Sequence, residues 1–447
     1  MKKIIYILLI IPIIVSGQTG KFNEHTYQCL DTIERPFILY TPTTINKTQK
    51  RPLLVYLHGA ISNKSLKKDP LAYMKKSKLI KLAEKGGFYL MYCYGQKGAT
   101  WFDPVGMDMI LKEIEIVASK YAIHKDKIFL SGFSDGGSGA LYISMVHPEP
   151  FAGFIAMNGH LKVADKLGTY ALYPANSNHK PTYIINTKKD MLYPIKQIKP
   201  TISYLQKFNT AITFSEVDGN HDMSYLQKEQ KKLIDFITTT TRRNKYKISW
   251  ETSDLSNNSY EWISILEMDT KTKDAHPNHT PYSLEIFNDK AVFGIKYDYS
   301  FRGPGLKVSD FKSDTCTAKK IGVKKGDIIL MMEKDTMTSP YAPYFYIANK
   351  LAGDQTSLTI KRGDNKIKIE GAFNQGHTYS VFNHKKTTAR VWATIEEETL
   401  LITTSRTKKI AIRFSDIKNK TIRKLIINGK KYSSSYKGTQ EITIKQQ

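Results

Sequence analysis

Residues Ile128 to Val146, IFLSGFSDGGSGALYISMV, decide how the first half of this 447-residue chain folds. An apolar run, Ile128 to Ser131, meets Gly132-Phe133-Ser134-Asp135-Gly136-Gly137 and then a helix-competent segment, Ser138 to Val146. A strand that reverses into a helix within a few residues presses backbone against backbone. A Cβ at that contact would collide, and Gly132, Gly136 and Gly137 remove it. Gly-x-Ser-x-Gly between a strand and a helix is a nucleophile elbow, which holds its serine on a strained turn with the hydroxyl exposed. Ser134 is the candidate nucleophile.

Outward from this turn, short apolar runs alternate with helical stretches. Pro36 to Pro42, Pro52 to Leu57, Phe88 to Cys93, Phe154 to Met157, Thr182 to Ile185 and Ile212 to Val217 read as strands. Between them, Ile110, Leu111, Ile114, Val117 and Ala118 repeat at helical spacing. That alternation predicts a parallel sheet covered by helices on both faces.

A serine nucleophile needs a base and an acid, and in this strand–helix order they follow the serine as acid, then histidine. Asp190 ends a strand and precedes a turn, and His221 lies in the loop Asp218-Gly219-Asn220-His221-Asp222, ahead of a helix from Leu226 to Ile237. Asp165, Asp218 and Asp222 are rival acids. The last two stand too near His221 in the chain to approach it from a separate loop. His160 is the rival base, but it precedes the acid. The turn His58-Gly59-Ala60 after the strand ending at Leu57 would supply one oxyanion donor, the Ala60 N–H, and Asp135 N–H the other. His58 itself reads as a residue holding that loop.

Together, His58-Gly59-Ala60, the segment Trp101 to Asp108, Gly132 to Gly137, Asn186 to Asp190 and Gly219 to Asp222 resemble secreted esterases of the polyhydroxybutyrate depolymerase and feruloyl esterase group. They are also similar to the catalytic domain of prolyl oligopeptidase relatives. The resemblance covers about residues 35 to 240 and implies an α/β-hydrolase fold. It further implies serine hydrolysis of an ester or amide, with no metal or organic cofactor. Asp135 departs from the Met, Asn or Gln common at that position. Trp101 matches a recurrent aromatic that either lines the substrate pocket or packs under it.

Further on, Gly303-Pro304-Gly305-Leu306-Lys307-Val308 and Gly322-Val323-Lys324-Lys325-Gly326-Asp327-Ile328-Ile329-Leu330 resemble a bacterial PDZ domain. That resemblance implies capture of a peptide C-terminus by strand addition, with the backbone of Gly305, Leu306 and Lys307 holding the carboxylate. A spacer packed beside the hydrolase is the other reading. The fold class expected is α/β: an α/β-hydrolase domain (18–242), a β-rich connector (243–300), a PDZ-like domain (301–372) and a C-terminal β-rich domain (373–447). Tyr246 to Leu266 looks like the first part of a β-domain split by the PDZ-like insertion. Asn428-Gly429 marks a hairpin turn.

Composition bounds the partners. Basic residues exceed acidic ones by 26, most densely after Thr378, a field that favours anionic partners: an acidic polysaccharide, a membrane surface or nucleic acid. No zinc-ligand spacing or RNA-binding aromatic pattern accompanies it, so nucleic acid is not expected. Lys2 and Lys3, the apolar Ile4 to Val15 and small residues to Gly17 read as a signal peptide over residues 1–17, placing the mature protein in the periplasm or outside the cell. Its apolar run is too short to span a bilayer, which takes about 20 residues. Cys29 and Cys93 are a pair that an oxidising compartment would permit, with Cys316 left over. The substrate expected is a small or carbohydrate-linked carboxylic ester. A peptidase of prolyl oligopeptidase type, or a non-catalytic binding protein, are the alternatives.

Overall fold

Apolar runs without polar alternation become inner strands because a parallel sheet is covered on both faces. The computed structural model describes residues 20–46, 48–61, 69–243, 246–271, 275–433 and 435–444. The signal segment read at 1–17 lies outside them. Eight strands form one sheet: β1 (Lys21–Gln28), β2 (Glu34–Thr41), β3 (Arg51–Leu57), β4 (Tyr89–Cys93), β5 (Ile123–Phe133), β6 (Gly153–Met157), β7 (Thr182–Thr187) and β8 (Ile212–Val217). Their order is β1-β2-β4-β3-β5-β6-β7-β8. The pairs β1–β2 and β2–β4 are antiparallel, and the rest are parallel.

Among the described residues, seven α-helices accompany the sheet: α1 (Pro70–Lys75), α2 (Leu79–Gly86), α3 (Pro104–Lys120), α4 (Asp135–Val146), α5 (Leu161–Leu167), α6 (Ile195–Gln206) and α7 (Leu226–Thr239). Successive side chains of a strand point to opposite faces. Leu53, Val55 and Leu57 of β3 therefore join one core with Ile110, Ile114 and Val117 of α3 and Leu141 of α4. Leu54 and Tyr56 join the other, with Leu82 of α2 and Leu233 and Ile237 of α7. The N-terminal half is an α/β-hydrolase fold. The loops leaving the C-terminal ends of β3, β5, β6, β7 and β8 meet at one rim, where open α/β sheets place their ligands.

The second half is β-rich. Strand Lys247–Thr252 pairs with Ala389–Glu396, and Ile263–Met268 pairs with Thr407–Arg413. Segments on either side of the middle unit thus share one core, which includes Trp250, Tyr260, Ile265, Val391, Leu400 and Ile410. Strands Leu284–Asn288 and His377–Val381 pair and bury Ile286 and Val381 against the hydrolase core. Lys424–Ile427 turns back into Lys430–Tyr432 through Asn428 and Gly429, both at positive φ, as the Asn-Gly pair anticipates.

Between these lies a separate sheet ordered Ile295–Tyr297, Leu306–Phe311, Ile328–Met332, Gln355–Arg362 and Asn365–Ala372, with Asp335–Thr336 beside the third strand. Its core takes in Phe293, Val308, Ile329, Leu358 and Ile360. The sheet starts ahead of residue 301, at a three-residue strand too short to show alternation in sequence. The structure places Leu306 and Lys307, expected to hold a peptide carboxylate, in an interior strand of this sheet. Leu306 and Lys307 pair with Ile329 and Ile328 on one side, while Lys307 O accepts from Asp298 N at 2.9 Å on the other. Lys307 is therefore flanked by backbone on both sides. Cys29, Cys93 and Cys316 are buried free thiols. Among the described residues, no helix is long and apolar enough to cross a membrane.

Candidate active site

Ser134 stands between β5 and α4 at φ 59°, ψ −119°, a region that costs an ordinary residue strain and is tolerated where surrounding packing imposes it. The two glycines that permit the turn do so by contact. A Cβ on Gly132 would sit 2.2 Å from the Gly136 carbonyl, and one on Gly136 would sit 1.9 Å from Leu57 O. Helix α4 can therefore begin directly beneath β3 and β5, leaving the serine hydroxyl at the rim.

His221, in the loop after β8, takes the hydroxyl. Its Nε2 lies 2.8 Å from Ser134 Oγ, and its Nδ1 lies 2.7 Å from Asp190 Oδ2. A carboxylate accepts only, so Nδ1 carries the proton and Nε2 is the acceptor facing the serine. Asp190, in the loop after β7, has a fully buried side chain. Its Oδ1 accepts from the amides of Leu192 and Tyr193, each at 2.9 Å, and its Oδ2 also accepts from Asn158 Nδ2 at 2.8 Å. Four donors thus offset the burial of one charge.

Of the rival acids, Asp218 pairs with Lys188 at 3.0 Å and Asp222 caps its own loop through Ser224 N at 2.7 Å. Asp165 faces His384 at 3.7 Å. His160, the rival base, caps α5, and burial pushes its pKa down to about 4, leaving it neutral. The structure brings Ser134, His221 and Asp190 together and places the others elsewhere.

The turn after β3 lies against the serine. A Cβ on Gly59 would be 2.9 Å from Ser134 Cβ, and Ala60 adopts φ 57°. His58 Nδ1 bonds Gly59 O at 2.8 Å, holding this turn as the sequence suggested. Asp135 opens α4, where first-turn amides have no intrahelical acceptor. Gly59-Ala60 and Asp135, from two different elements, therefore lie next to the nucleophile. Trp101 is a correction to a substrate-binding role. It is fully buried, its Nε1 donates to His58 O at 2.9 Å, and it packs under Gly139 of α4, so it supports the turn from below.

Sequence reading missed Asn158 and Tyr193, and it gave the Asp135 side chain no partners. Asn158, at positive φ after β6, donates to Thr187 Oγ1 as well as Asp190 and accepts from Tyr225 Oη. Tyr193 donates to Asp135 Oδ1 at 3.0 Å and sets its ring edge-on to His221. Burial first, and Asp135 next, push the Tyr193 pKa upward, so it remains a donor. The Asp135 carboxylate itself accepts from Ile61 N at 3.1 Å. Only an Asn or Asp next to a strand end carried any prior signal of such roles.

Residues 42–241 match the Phospholipase/Carboxylesterase family model. No curated protein matches the chain. Solved structures similar to it include a thermostable esterase (17% identity, TM-score 0.38, 49% of this chain and 63% of that one). Another is the Staphylococcus aureus fluorophosphonate-binding serine hydrolase FphF (18%, TM-score 0.38, 49% and 99%). A third is the Pyrococcus horikoshii acylaminoacyl peptidase (14%, TM-score 0.41, 51% and 43%). The chain thus spans less than two thirds of the length of the first and third. The N-terminal half is an α/β-hydrolase fold whose residues 42–241 match the phospholipase and carboxylesterase family.

Proposed function

We propose that the protein is an exported serine hydrolase acting on carboxylic esters, small or carbohydrate-linked, with Ser134 as nucleophile, His221 as base and Asp190 as its orienting acid. The hydroxyl–imidazole–carboxylate chain at 2.8 and 2.7 Å carries this reading. His221 Nε2 accepts the proton as Ser134 Oγ attacks the ester carbon. Asp190 holds the ring tautomer and stabilises the imidazolium, and the proton then passes to the leaving alcohol. The negative oxygen of the tetrahedral intermediate would point at the amides of Ala60 and Asp135, each such donor contributing about 10²–10³ in rate. Water admitted next to His221 repeats the sequence on the acyl-enzyme and releases the acid.

The family match over residues 42–241 favours an ester over an amide. Turnover of p-nitrophenyl acetate against peptide amides tests that choice: amide cleavage without ester preference would install the peptidase. Fluorophosphonate labelling that disappears in Ser134→Ala supports the enzyme, and an unlabelled wild type supports a binding protein.

A second role, capture of an extended peptide, is favoured by one observation. Among the described residues, strand Ile295–Tyr297 ends its sheet and pairs only with Leu306–Phe311. An open edge of this kind accepts a further strand. The basic surface after Thr378 would suit an acidic polysaccharide, which retention on a heparin column at low salt would test.

A further inference from the structure

The open edge and the helix Ala342–Ala348 flank a cavity of about 340 Å³, walled by Val292, Phe293, Ile295, Tyr297, Pro343 and Ile347. Two charged side chains, Lys290 and Lys312, also line it, and none of its described lining residues is acidic. An ammonium beside apolar walls is costly without a counter-charge. A carboxylate would supply one.

Lys290 also reaches out of this unit. Its Nζ donates to Met191 O at 2.7 Å. Met191 is the residue between Asp190 and Leu192, and the Leu192 amide is one of the donors that fix the Asp190 carboxylate. The segment carrying Lys290 is anchored to the same region of the hydrolase fold. Asn288 Oδ1 accepts from Gln197 Nε2 at 2.8 Å, and Asp289 pairs with Lys196 at 3.6 Å, both partners lying in α6 just beyond the Asp190 turn. Burial lowers the Lys290 pKa, with the Asp190 charge opposing that shift. One side chain therefore serves both the cavity and the acid loop.

We propose that Lys290 is a positioning residue for the Asp190 loop and that the C-terminal carboxylate of an extended peptide, bound along Ile295–Tyr297, draws its ammonium from Met191 O and slows hydrolysis. This rests on the triad and peptide readings above. An extended chain fits better than a free acid because the strand edge offers it backbone donors and acceptors along its length. The apolar walls select an apolar last residue. With Met191 O released, the turn that presents two amides to Asp190 loses a tether, and the imidazole loses part of its orientation. Binding affinity of the ester is untouched, so the change falls on kcat rather than KM.

The test uses the full chain, p-nitrophenyl acetate and a fluorescein-labelled hexapeptide of alanines ending in valine, with a free or an amidated C-terminus. Lys290→Met should lower kcat about tenfold with KM within about twofold, the loss expected for one charge-assisted bond, while Lys290→Arg restores most of it. The free-acid peptide should lower wild-type kcat by about the same factor and leave Lys290→Met unaffected. The amide should do neither, and Lys312→Met should weaken peptide binding by anisotropy. Unchanged kcat in a folded Lys290→Met protein, or peptide binding without a change in kcat, overturns the proposal. Equal inhibition by hexanoate would assign the cavity to a small acid instead. A wild type that turns over no ester defeats the hydrolase reading but leaves the anisotropy comparison to judge the cavity separately.

Discussion

Asn158 Nδ2 and His221 Nδ1 donate to the same oxygen of Asp190, Oδ2, at 2.8 and 2.7 Å. Two donors on one oxygen fix the direction of its lone pairs, and Asn158 is itself held by Thr187 and Tyr225. The imidazole is thus aimed by a residue on β6's exit loop that touches neither serine nor substrate. Replacing Asn158 with Ala should remove one bond to a charged group, worth about 1.5–3 kcal/mol, and lower kcat roughly 10- to 100-fold. Steady-state kinetics with an unchanged KM would support this; a purely KM effect would contradict it.

Asp190→Asn keeps the shape of the acid but offers His221 an amide, which favours the wrong tautomer. A drop in kcat of about 10⁴ is expected. Circular dichroism should show an intact fold, since the Leu192 and Tyr193 amides can still bond the remaining carbonyl oxygen.

Asp135 ties three parts of the site together, accepting from Ile61 N beyond the oxyanion turn and from the Tyr193 hydroxyl. Asp135→Asn preserves an acceptor for Ile61 N and a polar group for Tyr193, so activity should stay within a few-fold. Asp135→Ala frees the turn after β3 and should cost about tenfold in kcat, less than the roughly 10²–10³ of a lost oxyanion donor. Comparing the two variants separates the hydrogen bonds from the charge.

Gly136→Ala would set a methyl group 1.9 Å from Leu57 O, a backbone atom that cannot rotate away. Overpacking of this kind costs about 1–3 kcal/mol, and more where backbone must move. A lowered thermal midpoint and lost fluorophosphonate labelling are expected together, because the same shift displaces Ser134.

Glu113 of α3 is wholly buried, and that burial raises its pKa well above 4.5. In the folded state it keeps its proton where the unfolded chain has released it. The folded form therefore binds more protons than the unfolded form above pH 4.5, and stability falls as pH rises from there toward the folded pKa. Glu113→Gln should remove that slope. Its gain should be largest at pH 8 and vanish near pH 4, at about 1.4 kcal/mol for each unit of displacement. Denaturant unfolding across this range would decide, and parallel curves for both proteins would refute it.

Chemistry carried by residue type and local spacing was open to reading from the chain alone. The Gly-x-Ser-x-Gly turn announces itself because glycine is the only residue that lets α4 start against β3. Buried strands announce themselves as unbroken apolar runs. His221 and Asp190 were reachable because strand order constrains where they fall. Which side chains stand behind them was not, since Asn158, Tyr193 and Lys290 act through contacts between loops up to 99 positions apart, the separation of Lys290 from Met191. Trp101 and the Gly305 loop show the same limit: an aromatic or a glycine turn looks identical whether it lines a site or lies under it. Local sequence determined the strained serine and the sheet that presents it. Tertiary packing alone decided which neighbours aim the imidazole and which residues wall the cavity beside Lys290, because burial and pairing are properties of the assembled layers.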